Sequence, residues 1–548
     1  MKNKFIYLAV LAAGFASCEP EFDNPVSTDD YSAGEADFST YVAIGNSLTA
    51  GYMDGTVYKS GQANSFPNLL AKQFSVVGGG AFTQPSYDDD INNYGGLTLG
   101  GVPIASTRLV IDAAEGRPEN ITGNSSIEVS NLQATAYNNM GIPGAKSFHL
   151  GVAGYGNLAG VALGQANPYF VRHATSPTAT VLGDAMSKNP TFFTNWIGNN
   201  DVLSYSTNGG AASSTNVYDN TPAADHNNTS NLDPTTYGGN DITNSNVFES
   251  VYSTLINTLT SGGAKGVVAT IPNVTSIPYF TTVPYAPLTA QGLGKALTPP
   301  GSDVATQIAA GTTAMAQLNA QLYALLDGVF TAGGEPDRVN VLDPNTANPV
   351  LIYDVDAADR SAQISGYLQS VLSYPAATAN AFGAIFGKAR QTTSEDLIVL
   401  PASSFIGSTN VNAPVDINKN GISYPLGNRW VLSPQEQAKV KAATDAYNST
   451  IKAIALDKDL AVADMNAILN QLVSGLRADN GTIYTANYFG SGTTEFKVLF
   501  SLDGVHPNAR GYSVIANEII KVINSHYKSK LPLLNPNNYP GIHIVPMN

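Results

Sequence analysis

Apolar positions along this chain follow two patterns. Short unbroken apolar runs recur: "YVAIG" at 41–45, "TFFTNWIG" at 191–198, "GVVATIP" at 266–272 and "LAVADM" at 460–465. Each is bounded by glycine, asparagine or other polar residues, which predicts short buried strands. Between the runs the apolar positions take helical spacing. Phe248, Val251, Leu255 and Leu259 predict a helix that Gly262 and Gly263 stop, directly ahead of a strand. Ser433, Pro434 and Glu436 form a capping box at the head of another helix. A last helix over Ala509 to His526 carries Tyr512, Ile515, Ile519, Ile520 and Ile523 on one face. Helix, glycine stop and apolar strand in succession predict α/β winding.

Elsewhere the pattern is weaker. "SIEVSNLQA" near residue 130 and "RVNVLD" at 338–343 read as further strands, and 304–327 as a helix. Residues 205–248 are rich in Asn, Ser, Thr and Gly and read as a partly mobile surface insertion. A larger insertion spans 281–430, and its apolar stretch near 367–388 is read as insertion core in preference to a lid. "YDDDINN" around Asp88 reads as a solvated loop, and Trp196 as core. Neither internal repeats nor a membrane-spanning run is evident.

Composition adds the setting. Only 13% of the 548 residues are charged, against about 25% in ordinary soluble domains. The formal net charge is −15, so nucleic acid is excluded as a partner by charge repulsion. Lys2 and Lys4 precede the apolar run "FIYLAVLAAGFA", which is too short to span a bilayer and reads as an export leader. Cys18 is the single cysteine, so no intramolecular disulfide forms. "LAAGFASC" resembles the lipobox of bacterial lipoproteins, with Phe15 where an aliphatic residue is usual. The resemblance implies that residues 1–17 are removed and that Cys18 is acylated, anchoring an exported chain to the cell envelope, at the outer membrane or cell surface. Residues 18–38 are acidic and read as a flexible tether, 39–530 as the folded body and 531–548 as a tail.

Candidate chemistry starts at "YVAIGNSLTAGYMDG". Ser47 stands at a strand-to-helix junction, where serine serves as an N-cap or as a nucleophile. A serine nucleophile needs a base, a group that orients the base, and donors for an oxyanion. Of the six histidines, His506 stands out, with Asp503 three residues before it in "SLDGVHPNARGY". "WIGNNDVL" offers Gly198 and the Asn200 amide after an apolar run, and "MGIPGAKSF" offers Gly144 in a loop.

In order, "GNSLTAGY", "GIPGAKS", "GNND" and "DGVHP" resemble the four blocks of the SGNH/GDSL hydrolases. The likeness covers residues 38–530 in outline and is specific only in the blocks. It implies a flavodoxin-like three-layer α/β/α core with a mostly parallel sheet. It also implies Ser47 as nucleophile, His506 as general base and Asp503 as its orienting acid. The oxyanion hole would be Ser47 N–H, Gly144 N–H and the Asn200 side chain, with Gly141 a rival for the second glycine. Asn46 replaces the family's aspartate in the first block. The start of a helix at Ser47 is expected to favour the developing negative charge. No Gly-x-Ser-x-Gly elbow is present, which disfavours the other common serine-hydrolase fold.

The expected activity is hydrolysis of carboxylic esters, acyl or acetyl esters of lipids or glycans, by a monomer without metal or cofactor. The alternative is a non-catalytic glycan-binding surface lipoprotein or an inactive member of the family; only two tryptophans argue against the binding module. Asp416, Asn418, Asn420 and Gly421 resemble the start of a calcium loop, but its twelfth position is Gly427, not glutamate. Arg172 and His173 read as a surface pair or as lining of a substrate pocket.

Overall fold

The computed structural model describes residues 30–112, 116–478, 481–490, 497–542 and 544–545. The leader, Cys18, the first part of the tether and His543 lie outside the described residues.

Five strands form the central sheet: β1 (Tyr41–Gly45), β2 (Asn139–Gly141), β3 (Phe192–Trp196), β4 (Lys265–Ala269) and β5 (Ala461–Ala463). Their spatial order is β2-β1-β3-β4-β5 and every neighbouring pair is parallel. That order reverses beside β1, and doubly wound sheets bind ligands at such a switch point, outside the carboxyl ends of the strands. Seven helices frame the sheet: α1 (Ser47–Ala50), α2 (Phe66–Ser75), α3 (Asn200–Thr207), α4 (Ser245–Thr260), α5 (Pro434–Asp457), α6 (Met465–Ser474) and α7 (Ala509–His526).

Alternation along the strands separates two cores. Val42, Ile44, Phe193 and Val268 join a cluster with α4 and α5. Tyr41, Ala43, Phe192 and Ala461 join a second cluster with α2 and α7. Helices therefore cover both faces, as a three-layer α/β fold requires. Phe248 of α4 stacks on Tyr447 of α5 with ring centroids 4.3 Å apart. Phe74 of α2 stacks on Phe38 at 4.1 Å. Each such side chain contributes about 1.5–3 kcal/mol through burial. The capping box at Ser433 and Glu436 is formed, and α7 has the predicted bounds.

The structure corrects several expectations. β2 was not foreseen, because three residues carry no periodicity. "SIEVSNLQA" makes only a bridge between Thr98 and Glu128, while Ile127 and Val129 are buried side chains of a loop. "RVNVLD" is not a strand: it bends at Arg338 and Val339, and side-chain amides satisfy its backbone, with Leu342 N–H donating to Asn319 Oδ1 and Asn340 N–H to Gln391 Oε1. The helix expected at 304–327 runs through a π turn at Asn319–Tyr323 and continues to Ala332. Residues 30–38 are not tether, because Ala36 and Phe38 are buried and Glu35 N–H donates to Tyr527 O at 2.7 Å. The tail also packs: Leu531 is buried, and Arg510 N–H donates to Pro540 O.

Arg172 and His173 are both buried; Arg172 pairs with Asp89 at 2.8 Å and stacks on Tyr87. The "YDDDINN" loop is exposed at Asp88 and Ile91 as expected, but its Tyr87 and Asp90 are buried, Asp90 accepting N–H bonds from Lys59, Tyr94 and Gly95. Of the expected insertion at 205–248, the ends belong to α3 and α4, and 208–244 is an irregular but hydrogen-bonded segment, tied in by buried His226 and Ile242. Within 281–430, helices 361–370 and 376–386 pack Leu368, Ala379 and Phe386 into a core of their own with Tyr323 and Leu326. In the Asp416–Gly421 stretch, Lys419 Nζ donates to Thr409 Oγ1 and Asn420 Nδ2 to Ser408 Oγ. Among the described residues no helix is long and apolar enough to cross a membrane.

Candidate functional site

Ser47 owes its place to Gly45 and Asn46. A Cβ on Gly45 would lie 2.2 Å from Thr49 Oγ1 and 2.6 Å from Trp196 O, so only glycine lets the chain turn here beside β3. Asn46 is the N-cap of α1, its Oδ1 accepting the Leu48 N–H at 3.2 Å. Ser47 is thereby released from capping and stands as the first helical residue, 6% exposed. The α1 helix is a single turn of four residues, so the expected help from a helix dipole reduces to its local N–H groups.

His506 reaches the same place from the far end of the chain. The segment before α7 folds back on itself: Ser501 N–H donates to His506 O at 2.7 Å and Asn508 N–H to Leu499 O at 2.9 Å. Gly504 turns the tip with φ +71°. Asp503 Oδ1 accepts the N–H groups of Val505 and His506 at 2.9 and 2.8 Å. Its Oδ2 faces His506 Nδ1 at 2.9 Å, and His506 Nε2 lies 2.8 Å from Ser47 Oγ, across 459 positions of sequence. A carboxylate only accepts, so Nδ1 carries the imidazole proton and Nε2 is left to accept from the hydroxyl. Burial works to raise the Asp503 carboxyl, but the facing imidazole and the converging donors outweigh it and hold it below the usual carboxylate range.

A second set of contacts supports this chain. Tyr52 lays its ring 4.5 Å from that of His506. Ser501 Oγ donates to Asp503 Oδ1 at 3.0 Å and accepts the Asp54 N–H at 3.0 Å. Asp54 takes the Leu502 N–H at 3.0 Å and the Tyr58 hydroxyl at 2.8 Å. Burial raises the Asp54 carboxyl, and the nearby Asp503 charge adds to that against these donors. The sequence signal was the Asp-Gly turn at the end of "YVAIGNSLTAGYMDG", which composition alone does not distinguish from any other turn.

The expected oxyanion donors follow neighbouring strands: Ser47 after β1, Gly144 after β2 and Asn200 after β3. Parallel neighbours lie about 4.8 Å apart, so all three sit at one edge of the sheet. Gly144 holds φ +78°, a conformation glycine takes without strain. Its rival Gly141 is a packing residue: its N–H already donates to Asn139 Oδ1 at 3.0 Å, and a Cβ there would lie 2.2 Å from Ala50 N. Among the described residues, Ser47 N–H and Gly144 N–H find no acceptor. Asn200 Nδ2 donates to Ala145 O at 2.9 Å, which leaves its second hydrogen. No hydrogen bond joins Asn200 or Gly144 to Ser47 among the described residues.

Two residues that sequence reasoning passed over lace these loops together. Asp201, fully buried, accepts both the N–H and the hydroxyl of Ser147, at 2.9 and 2.8 Å. Lys146 Nζ donates to Asp241 O at 2.6 Å, tying the Gly144 loop to the 205–248 segment. No cluster of three or more His, Cys, Asp or Glu able to hold a metal occurs among the described residues. Comparison with protein-family models, with curated proteins and with solved structures finds no match to this chain.

Proposed function

We propose that this protein is a serine esterase of the SGNH/GDSL hydrolase type, exported and held at the cell envelope through acylated Cys18. The observation that carries the reading is the chain Ser47 Oγ–His506 Nε2 at 2.8 Å and His506 Nδ1–Asp503 Oδ2 at 2.9 Å, at the carboxyl edge of a doubly wound sheet. The four sequence blocks in family order support it, as does the placement of each block after a strand or ahead of the last helix.

In this mechanism Ser47 Oγ attacks the ester carbonyl carbon while His506 Nε2 takes the hydroxyl proton. The carbonyl oxygen becomes an oxyanion, and Ser47 N–H, Gly144 N–H and Asn200 Nδ2 are the donors assigned to it. Collapse breaks the bond to the alcohol, which leaves with the proton held by His506. Water then gives a proton to the same nitrogen as it attacks the acyl-Ser47 carbonyl; on collapse the bond to Ser47 Oγ breaks, Oγ takes that proton back from His506 Nε2, and the acid is released. Asp503 keeps the imidazole in the tautomer this requires and offsets its charge when protonated.

The test is hydrolysis of a p-nitrophenyl ester by the full-length protein. Ser47→Ala is expected to lower kcat by about 10⁴–10⁶-fold. Unchanged turnover in that variant would remove Ser47 as nucleophile. Cys18→Ser is expected to release the protein from the membrane fraction; retention there would overturn the anchor.

A further inference from the structure

A buried lysine follows the Gly144 turn, and the chemistry above gives it no part. Lys146 is 3% exposed, and lysine is almost never buried so deeply unless paired. Its Nζ donates to Asp241 O at 2.6 Å. Burial pushes its ammonium below the usual lysine range, and the Asp201 and Asp241 charges work against that. Asp241 is itself pinned. Its Oδ1 accepts the Ala224 N–H at 2.9 Å, and its Oδ2 accepts the Gly238 N–H at 2.7 Å and faces His226 Nε2 at 2.9 Å. The residues on either side of Lys146 are bonded to the head of α3. Asn200 Nδ2 donates to Ala145 O at 2.9 Å, and Ser147 gives its N–H and its hydroxyl to the two oxygens of Asp201. At the other end of the loop, Ile142 N–H donates to Gly45 O at 3.0 Å, two residues before Ser47.

We propose that Lys146 and Ser147 are positioning residues that clamp the Gly144 loop to Asn200, so that both assigned oxyanion donors are fixed relative to Ser47 before substrate arrives; the proposal rests on the esterase reading above. Three observations carry it. Gly144 has no side chain with which to hold its own N–H in place, so the direction of that N–H is set by the residues bonded on either side. Donors held this way need no reorganisation when the oxyanion forms. The second is charge. Asp201 is the neighbour of Asn200 and fully buried, and an uncompensated carboxylate there would oppose a second negative charge nearby. The Lys146 ammonium and the Ser147 donors both favour the ionised Asp201 against burial, and the ammonium offsets its charge. The third is the outer anchor. Asp241 O accepts from Lys146, and Thr243 N–H donates to Asp201 O at 3.2 Å, so the 208–244 segment braces both the Gly144 loop and the head of α3.

The experiment uses the full-length protein and p-nitrophenyl acetate. Lys146→Met keeps the stem and removes the ammonium, and Ser147→Ala removes only the hydroxyl. Lys146→Met is expected to lower kcat by about 10²-fold, the effect of a displacement near 1 Å. Ser147→Ala is expected to lower it by about tenfold, as for one hydrogen bond. KM is expected to stay nearly constant in both, because neither residue binds the ground state. Combined with Asn200→Ala, each is expected to cost less than the product of the two single losses, since clamp and donor act through one another. Should Lys146→Met fail to fold by circular dichroism, Ser147→Ala decides by the same readings. A loss below about threefold in each folded variant, a loss confined to KM, or double-variant losses equal to the product would overturn the clamp and leave the esterase reading standing. Failure of the parent protein to hydrolyse any ester would overturn both.

Discussion

Gly55 N–H donates to Asp503 Oδ2 at 3.1 Å, the oxygen that also faces His506 Nδ1 at 2.9 Å. The turn that follows Ser47 is thus bonded directly to the carboxylate that faces the His506 ring. Ser47 and the Asp503–His506 loop are held as one unit rather than as two parts that happen to meet.

Removing the orienting charge is the first prediction. Asp503→Asn keeps the shape but lets the imidazole adopt the wrong tautomer. In the serine-protease template that change costs about 10⁴ in kcat, and a similar loss is expected here, with KM little changed. Asn200→Ala removes one oxyanion donor and is expected to cost about 10²–10³ in kcat. Steady-state kinetics on one aryl ester measures both; a loss below threefold in either variant would remove that residue from the mechanism.

Acid should switch the reaction off. A protonated imidazole cannot take the Ser47 proton, so kcat/KM is expected to fall tenfold per pH unit on the acid limb. A pH–rate profile that stays level across the acid range, with the protein still folded by circular dichroism, would rule His506 out as the base.

Asp54 is expected to act as a positioning residue. Asp54→Ala strands the Leu502 N–H and the Tyr58 hydroxyl, about 1–3 kcal/mol for each unpaired group. It also places alanine at φ +53°, which asparagine tolerates better. Lower kcat with nearly constant KM is expected for Asp54→Ala, and partial rescue for Asp54→Asn. Equal melting temperatures and equal kcat for the two variants would sink this role.

Gly45→Ala tests the turn itself. The added methyl would meet Thr49 Oγ1 at 2.2 Å and the Trp196 backbone at 2.6 Å, and the backbone cannot yield without moving Ser47. A destabilisation of about 1–3 kcal/mol is expected, together with a loss of activity larger than any loss of fold. Denaturant titration and kinetics on the same sample separate the two.

Glu436 predicts a pH-dependent stability. Burial pushes its carboxyl up from 4.5 to about 7, against bonds from Ser433 and Asn428. A raised folded value means that its contribution is fully present below pH 4.5 and is lost as pH climbs through about 7. Glu436→Gln stays neutral throughout. Its stability relative to the parent is therefore expected to increase between those limits, by up to about 3 kcal/mol. Melting curves from pH 4 to 8 measure this; a difference that shrinks as pH rises would contradict it.

The sequence by itself determined the local elements and the identities at the site. The runs "YVAIG", "TFFTNWIG", "GVVATIP" and "LAVADM" hold four of the five sheet strands, because a run buried on both faces is legible from its own composition. The capping box at Ser433 and the apolar face of α7 were legible for the same reason: each is a short-range pattern. The tertiary structure alone decided what depends on distant partners. β2 is a strand only because β1 lies beside it, and "RVNVLD" is not one because side-chain amides of Asn319 and Gln391 claim its backbone. Neither the surface nor the pocket reading of Arg172 foretells its buried pairing with Asp89, which exists only once folding brings the two together. Ser47 and His506 carry no mark of their separation in the chain. Their 2.8 Å contact exists because parallel strands end at one edge, where the Ser47 turn and the loop ahead of α7 meet. Propensity and capping act over a few residues, whereas a hydrogen bond across the fold needs both ends placed by everything packed between them.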